Sequence, residues 1–87
     1  FVPNAFSPNS DGNNDYFTLV TSSPVDNLTI LIYNRWGENV FTGDNEHPKW
    51  DGRHRGRDCD VGSYYYQITY YLAGKQFITK GDINLVR

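Results

Sequence analysis

The chain has 87 residues, the length of one small domain, and its formal net charge is −2. A domain of this size buries only about 60% of the surface that its unfolded chain exposes, so we expect a narrow margin of stability. The weak negative charge creates no general attraction for nucleic acid, which we therefore exclude as a partner. No apolar run reaches the length of a membrane-spanning helix, so we expect no direct insertion into a membrane. We expect the isolated domain to be a monomer.

The composition favours strands over helices. Aromatic residues make up 16% of the sequence, with seven Tyr and five Phe and no Met. Large rings and β-branched side chains are typical of strands. Apolar runs of strand length alternate with turn-rich stretches, and no segment keeps the spacing of three and four residues that marks an amphipathic helix. The sequence therefore predicts an all-β fold.

The first half of the chain contains four predicted strands. Residues 1–6 include Pro3, which suits an edge strand because proline cannot donate a hydrogen bond to a ladder. Residues 16–20 form the second predicted strand. Residues 28–33 carry apolar groups on both faces, which indicates a central strand. A short strand at residues 40–41 follows the next turn.

The second half begins with a long polar stretch, residues 43–62, and then contains the clearest strand of the chain. Side chains alternate regularly over residues 63–72, and we place the even-numbered ones in the core. Residues 73–75 predict a tight hairpin to a returning strand at residues 76–80. Gly81 permits a bulge before the last apolar residues. About seven short antiparallel strands predict an immunoglobulin-like β-sandwich.

One polar segment has the ligand chemistry of a calcium loop. Oxygen-bearing side chains occupy every second position, at Asn9, Asp11, Asn13 and Asp15. Calcium prefers several carboxylate, amide and backbone oxygens folded around it. Asn, Asp and Gly are also common turn residues that bond to nearby backbone, so a metal-free turn is the preferred interpretation and calcium binding is the alternative.

Two other groups of side chains have a functional and a simpler interpretation. The basic residues Arg53, His54, Arg55 and Arg57 form a local cluster. Asp51, Asp58 and Asp60 dilute that cluster, so a solvated loop is the preferred interpretation. Trp36, Trp50 and the tyrosines could form a stacking platform for sugars, although core packing explains most of them more simply.

The sequence is poor in groups for catalysis, so we expect no enzyme. His47 and His54 lie in one polar stretch, and no Ser or Cys occupies a recognisable nucleophile turn. The single Cys59 cannot form an intramolecular disulfide and lacks the paired spacing of a zinc site. We interpret it as a half-buried loop thiol.

Four segments in this order resemble one protein family. The resemblance lies in Pro3-Asn4-Ala5-Phe6-Ser7-Pro8-Asn9-Ser10-Asp11-Gly12-Asn13-Asn14-Asp15, Ile32-Tyr33-Asn34-Arg35-Trp36-Gly37, Trp50-Asp51-Gly52 and Gly62-Ser63-Tyr64-Tyr65-Tyr66. They resemble the gliding motility-associated C-terminal domain, also called the type B sorting domain of the type IX secretion system. The resemblance extends over nearly the whole chain. The chain departs from the family at Ser10, where the family usually has Gly, and at Asp60, where it often has Pro.

The resemblance implies a sorting function. Residues 1–87 would be a single C-terminal domain of a larger secreted or surface protein of Bacteroidota, which we call the carrier. The type IX machinery, either a translocon or its shuttle protein, would bind the domain in the periplasm and send the carrier to the cell surface or medium. Strand addition is one physical route to such binding, with two candidate surfaces: the Asn9–Asp15 loop and the C-terminal residues Ile83, Leu85, Val86 and Arg87. The alternative is an adhesion or carbohydrate-binding module that uses Trp50 and its loop.

Overall fold

The computed structural model describes residues 5–8, 15–21 and 23–87. In these residues the chain forms seven strands: β1 (Ala5–Phe6), β2 (Asp26–Tyr33), β3 (Asn39–Gly43), β4 (Arg53–His54), β5 (Arg57–Asp58), β6 (Gly62–Leu72) and β7 (Lys75–Leu85). Five strands form one sheet in the order β1-β7-β6-β2-β3, and β4 and β5 form a separate hairpin. The predicted all-β fold is confirmed, and the arrangement is consistent with an immunoglobulin-like sandwich. The described part of the chain contains no helix able to cross a membrane.

The β6–β7 hairpin is the longest element of the sheet. Its register is continuous from Leu72 opposite Lys75 to Gly62 opposite Leu85. The two turn residues, Ala73 and Gly74, both have positive φ angles, 51° and 76°. This backbone conformation matches the right-handed twist of the flanking strands, which is why two-residue hairpins use it.

The predicted bulge at Gly81 is wrong, because Gly81 pairs with Tyr66 in an unbroken ladder. The glycine has a different purpose. A Cβ at this position would lie 2.7 Å from the Tyr66 hydroxyl and 2.9 Å from the adjoining ring carbon. Gly81 therefore leaves room for the Tyr66 ring to lie across the strand.

The predicted central position of residues 28–33 is confirmed, since β2 lies between β6 and β3. Leu28, Ile30 and Ile32 are buried on the core face, while Leu31 and Tyr33 on the other face are half-buried. An alternating pattern of this kind fixes the register, because a slip by one residue would move all three buried side chains to the opposite face.

The expectation that all strands are antiparallel is wrong at β1, which pairs with β7 in parallel through Ala5–Asn84 and Phe6–Leu85. Parallel neighbours need a long connection. Here the whole intervening domain provides it, since β1 and β7 lie at opposite ends of the sequence. Residues 1–4 of the predicted first strand lie outside the described residues.

The core lies between the five-stranded sheet and a layer of loops. Residues 16–20 do not form the predicted strand. Instead, Phe17 and Trp50 form an isolated antiparallel bridge, in which each backbone N–H donates to the other residue's carbonyl at 2.9 Å. Phe6 packs against both rings, with centroid distances of 6.3 Å to Phe17 and 5.2 Å to Trp50. Phe17 and Trp50 also pack against Tyr66 and Tyr64 of β6, with centroid distances of 5.3 and 5.2 Å.

Candidate functional site

Three segments meet at one end of the sheet and line an open cleft of about 270 Å³. They are the β2–β3 turn (residues 34–38), the β4–β5 hairpin (residues 53–58) and the segment before β6 (residues 59–61). Val40 and Tyr64 line the cleft and are buried, whereas Trp36 and Val61 line it and are exposed. We call this feature the Trp36 cleft. The sequence gives no sign of this cleft, because its segments are distant along the chain.

The β2–β3 turn is held by the side chain of Asn34. Its Oδ1 accepts hydrogen bonds from the backbone N–H of Trp36 at 3.0 Å and of Glu38 at 2.9 Å, and its Nδ2 donates to the Glu38 carboxylate at 2.9 Å. Gly37 adopts a φ of 81°, a conformation that glycine accepts without strain. The position of the Trp36 backbone is therefore fixed within the free domain.

Trp36 projects from this turn with 76% of its surface exposed. The Arg35 guanidinium carbon lies 4.4 Å from the centroid of the indole ring, within the range of a cation–π interaction. The contact constrains one face of the ring and leaves the side chain outside the core. A large apolar side chain is thus presented to solvent beside an open cleft.

Trp50 lies in the core with 0% of its surface exposed, which confirms the preferred interpretation of core packing and removes this residue from the alternative sugar platform. Its ring lies 5.2 Å from those of both Phe6 and Tyr64. The indole Nε1 donates to the backbone carbonyl of Arg53 at 3.0 Å. A satisfied polar group and close ring packing are what burial of a tryptophan requires.

The predicted basic cluster forms the β4–β5 hairpin, and its charges are mixed. Arg53 and Asp58 stand opposite each other, with Nε 3.1 Å from Oδ1. Arg57 is exposed and makes no ion pair among the described residues, while His54 Nδ1 lies 3.1 Å from the Val40 carbonyl oxygen. The hairpin is exposed to solvent and packs beside β3. This agrees with the preferred interpretation of the basic residues as a solvated surface segment.

Cys59 and Tyr64 line the wall of the cleft. Burial raises the pKa of the Cys59 thiol above its usual value, so the thiol is protonated at neutral pH and is a weak nucleophile. The Tyr64 hydroxyl donates to the Asp60 carbonyl at 2.6 Å. Burial, with a smaller contribution from Cys59, raises the pKa of Tyr64 to about 12. Both side chains are therefore neutral under physiological conditions.

The C-terminal residues predicted to contact a partner divide into two kinds. Ile83 and Leu85 are each 1% exposed, so their side chains pack in the core. Val86 is exposed, and its backbone N–H donates to the Phe6 carbonyl at 2.9 Å. Arg87 donates through Nη2 to the carbonyls of Gly52 at 3.1 Å and Cys59 at 3.0 Å.

Of the predicted calcium ligands, Asn9, Asp11 and Asn13 lie outside the described residues. Asp15 lines a cavity of about 200 Å³ together with Pro8, Tyr16, Asp51 and Arg53. The Phe17–Trp50 bridge brings Asp15 and Asp51 to this cavity. No local sequence signal links these two carboxylates. Among the residues that the structure describes, no three His, Cys, Asp or Glu side chains are grouped to hold a metal.

Comparison with curated proteins gave no match. A family model described as the CHU_C type IX secretion signal domain matches residues 1–85. This range includes all four of the segments that carry the resemblance in the sequence. The chain belongs to the CHU_C type IX secretion signal domain family.

Proposed function

We propose that this domain is a sorting signal that works in its folded form. The type IX machinery binds its surface in the periplasm and then moves the attached carrier to the cell surface or the medium. Membership of the type IX secretion signal domain family supports export by this system. In this proposal the domain contributes binding and orientation, and any catalytic activity belongs to the carrier.

One observation supports the folded form over a linear tag: the C-terminal strand is part of the core. Eleven residue pairs join β6 to β7. Exposing the end of the chain would separate these pairs and remove Ile83 and Leu85 from the core. Losing the burial of each such side chain costs about 1.5–3 kcal/mol. A partner that binds the folded surface avoids this cost.

The burial of Trp50 weakens the adhesion alternative. That alternative requires an accessible indole ring in the loop after residue 43. The indole in that loop is Trp50, which lies in the core.

A reporter fusion tests the sorting proposal. A periplasmic reporter carrying residues 1–87 at its C-terminus would be expressed in a gliding bacterium with an intact type IX system and in a mutant without it. We expect the reporter on the surface or in the medium only in the intact strain. A matched fusion of residues 75–87 supplies β7 without its sheet, and we expect it to stay in the periplasm. Retention of both fusions would refute sorting, and export of the short fusion would establish a linear tag.

We also propose that calcium binds the oxygens of Asn9, Asp11, Asn13 and Asp15. The donor set suits a hard cation, and Asp51 adds a second carboxylate to the cavity that Asp15 lines. A ligand that binds only the folded state stabilises it by about 2.7 kcal/mol at one hundred times its Kd. Calcium should therefore raise the melting temperature, and Asp11→Ala should abolish this effect while Asp82→Ala on β7 keeps it. A wild-type melting curve that is the same in calcium and in chelator would contradict the proposal.

A further inference from the structure

We propose that the Trp36 cleft is the surface that a protein component of the secretion machinery binds. A segment of that component inserts an apolar side chain towards Val40 and Tyr64 and packs against the exposed indole of Trp36. The inference rests on the proposed sorting function and adds the location and the chemistry of the contact.

The first step is that the fold itself does not use Trp36. Trp50 and Tyr64, which belong to other segments of the family resemblance, are buried and complete the core. Trp36 is largely exposed, yet its backbone N–H and that of Glu38 both donate to Asn34 Oδ1, which fixes the backbone of the turn. A group held in position before binding loses little conformational entropy when a partner arrives. The turn therefore presents Trp36 outward.

The second step is the composition of the cleft. Residues of low exposure, Val40 and Tyr64, are combined with an exposed Trp36 and with Val61, which is 62% exposed. Tryptophan, tyrosine and arginine dominate the centres of protein interfaces, where an apolar core is surrounded by a polar rim. The volume of about 270 Å³ is several times the ~30 Å³ that one water molecule occupies in the liquid. A side chain of a partner can therefore enter.

The third step is the charge of the rim, which distinguishes between classes of partner. Arg35 and Arg57 lie beside the cleft with Glu38 and Asp60, and none of these four side chains has an ion-pair partner among the described residues. Such a mixture gives no field for a polyanion. It fits a protein segment that carries both an acidic and a basic side chain beside its apolar anchor, because charges of both signs are present on the rim to pair with them.

The secretion of the reporter fusion measures the effect of the cleft. We expect Trp36→Ala to lower the secreted fraction about tenfold, as truncation of a central interface residue does, with the reporter accumulating in the periplasm. Val61→Asp, which places a charge at the mouth of the cleft, should have the same effect. Ile78→Ala is the matched control, since Ile78 is 57% exposed on β7 and lies outside the cleft. Melting curves of the purified domains check that the variants fold.

The outcomes separate the two proposals. A wild-type fusion that is not secreted overturns the sorting function. A secreted wild-type fusion, with Trp36→Ala and Val61→Asp secreted equally well, overturns the cleft alone. If Trp36→Ala fails to fold, the secreted fraction of Val61→Asp tests the cleft, because Val61 lies in a surface loop. Glycan-array binding that is lost in Trp36→Ala while secretion is unchanged would assign the cleft to a sugar and overturn the proposal.

Discussion

Tyr64 links the core to the proposed recognition surface. Its ring packs edge-on against Trp50, and its hydroxyl donates to the Asp60 carbonyl beside the cleft. The hydroxyl is neutral in this position. Its ionisation would place a negative charge next to buried rings and remove the donor of the hydrogen bond to Asp60. The packing of the core at this point and the cleft wall therefore both rely on the protonated hydroxyl of Tyr64.

The raised pKa of Tyr64 predicts a loss of stability at high pH. The folded value is about 12 against an ordinary 10.0, so the folded state holds the proton more tightly than the unfolded chain. The contribution is complete below pH 10 and is lost as the pH rises towards 12. Urea denaturation at pH 8 and pH 11 should show a smaller decrease in Tyr64→Phe than in wild type. Tyr65→Phe, an exposed neighbour, should keep the full decrease, and an equal decrease in all three proteins would refute the assignment.

At the scale of the element, strands were predicted correctly where apolar side chains alternate along the chain and pack against one core. Residues 28–33 and 63–72 became β2 and β6, because their alternating apolar side chains fit only one register. Prediction failed where the partner is remote in sequence. Residues 16–20 form no strand, and Phe17 pairs with Trp50 in an isolated bridge, while Gly81 leaves room for the ring of Tyr66. The Trp36 cleft was not predictable for the same reason. Its segments are distant in sequence and adjoin only in the folded domain.

The β6–β7 turn contains a correctable strain. Ala73 has a φ of 51°, a left-handed conformation that a Cβ makes unfavourable, and Gly74 follows with 76°. Asn-Gly is the preferred pair for this turn. We expect Ala73→Asn to raise the free energy of unfolding by up to about 1 kcal/mol, because Asn adopts the left-handed conformation more readily than Ala. Ala73→Val should lower it. Urea denaturation measures both, and a destabilising Ala73→Asn would contradict the turn geometry.

At the scale of the whole molecule, the C-terminal residues support the cleft from behind. Arg87 bonds to the Gly52 and Cys59 carbonyls, and its Nη1 lies 3.9 Å from Asp58. Cys59 and Asp58 line the Trp36 cleft. Arg87, which follows β7, therefore helps to shape a surface formed mainly by the turn and loops, and its loss would disturb recognition even if the machinery never touches it.

The dependence of export on folding tests the central claim most directly. Ile30 and Ile68 are fully buried opposite each other in β2 and β6, and truncating a buried Ile to Ala costs about 2–5 kcal/mol. The double variant Ile30→Ala/Ile68→Ala should unfold the domain while leaving every surface and C-terminal residue in place. With circular dichroism confirming the loss of structure, the secreted fraction of the reporter should fall to that of a strain without the type IX system. Export of the unfolded variant at the wild-type level would contradict recognition of the folded surface.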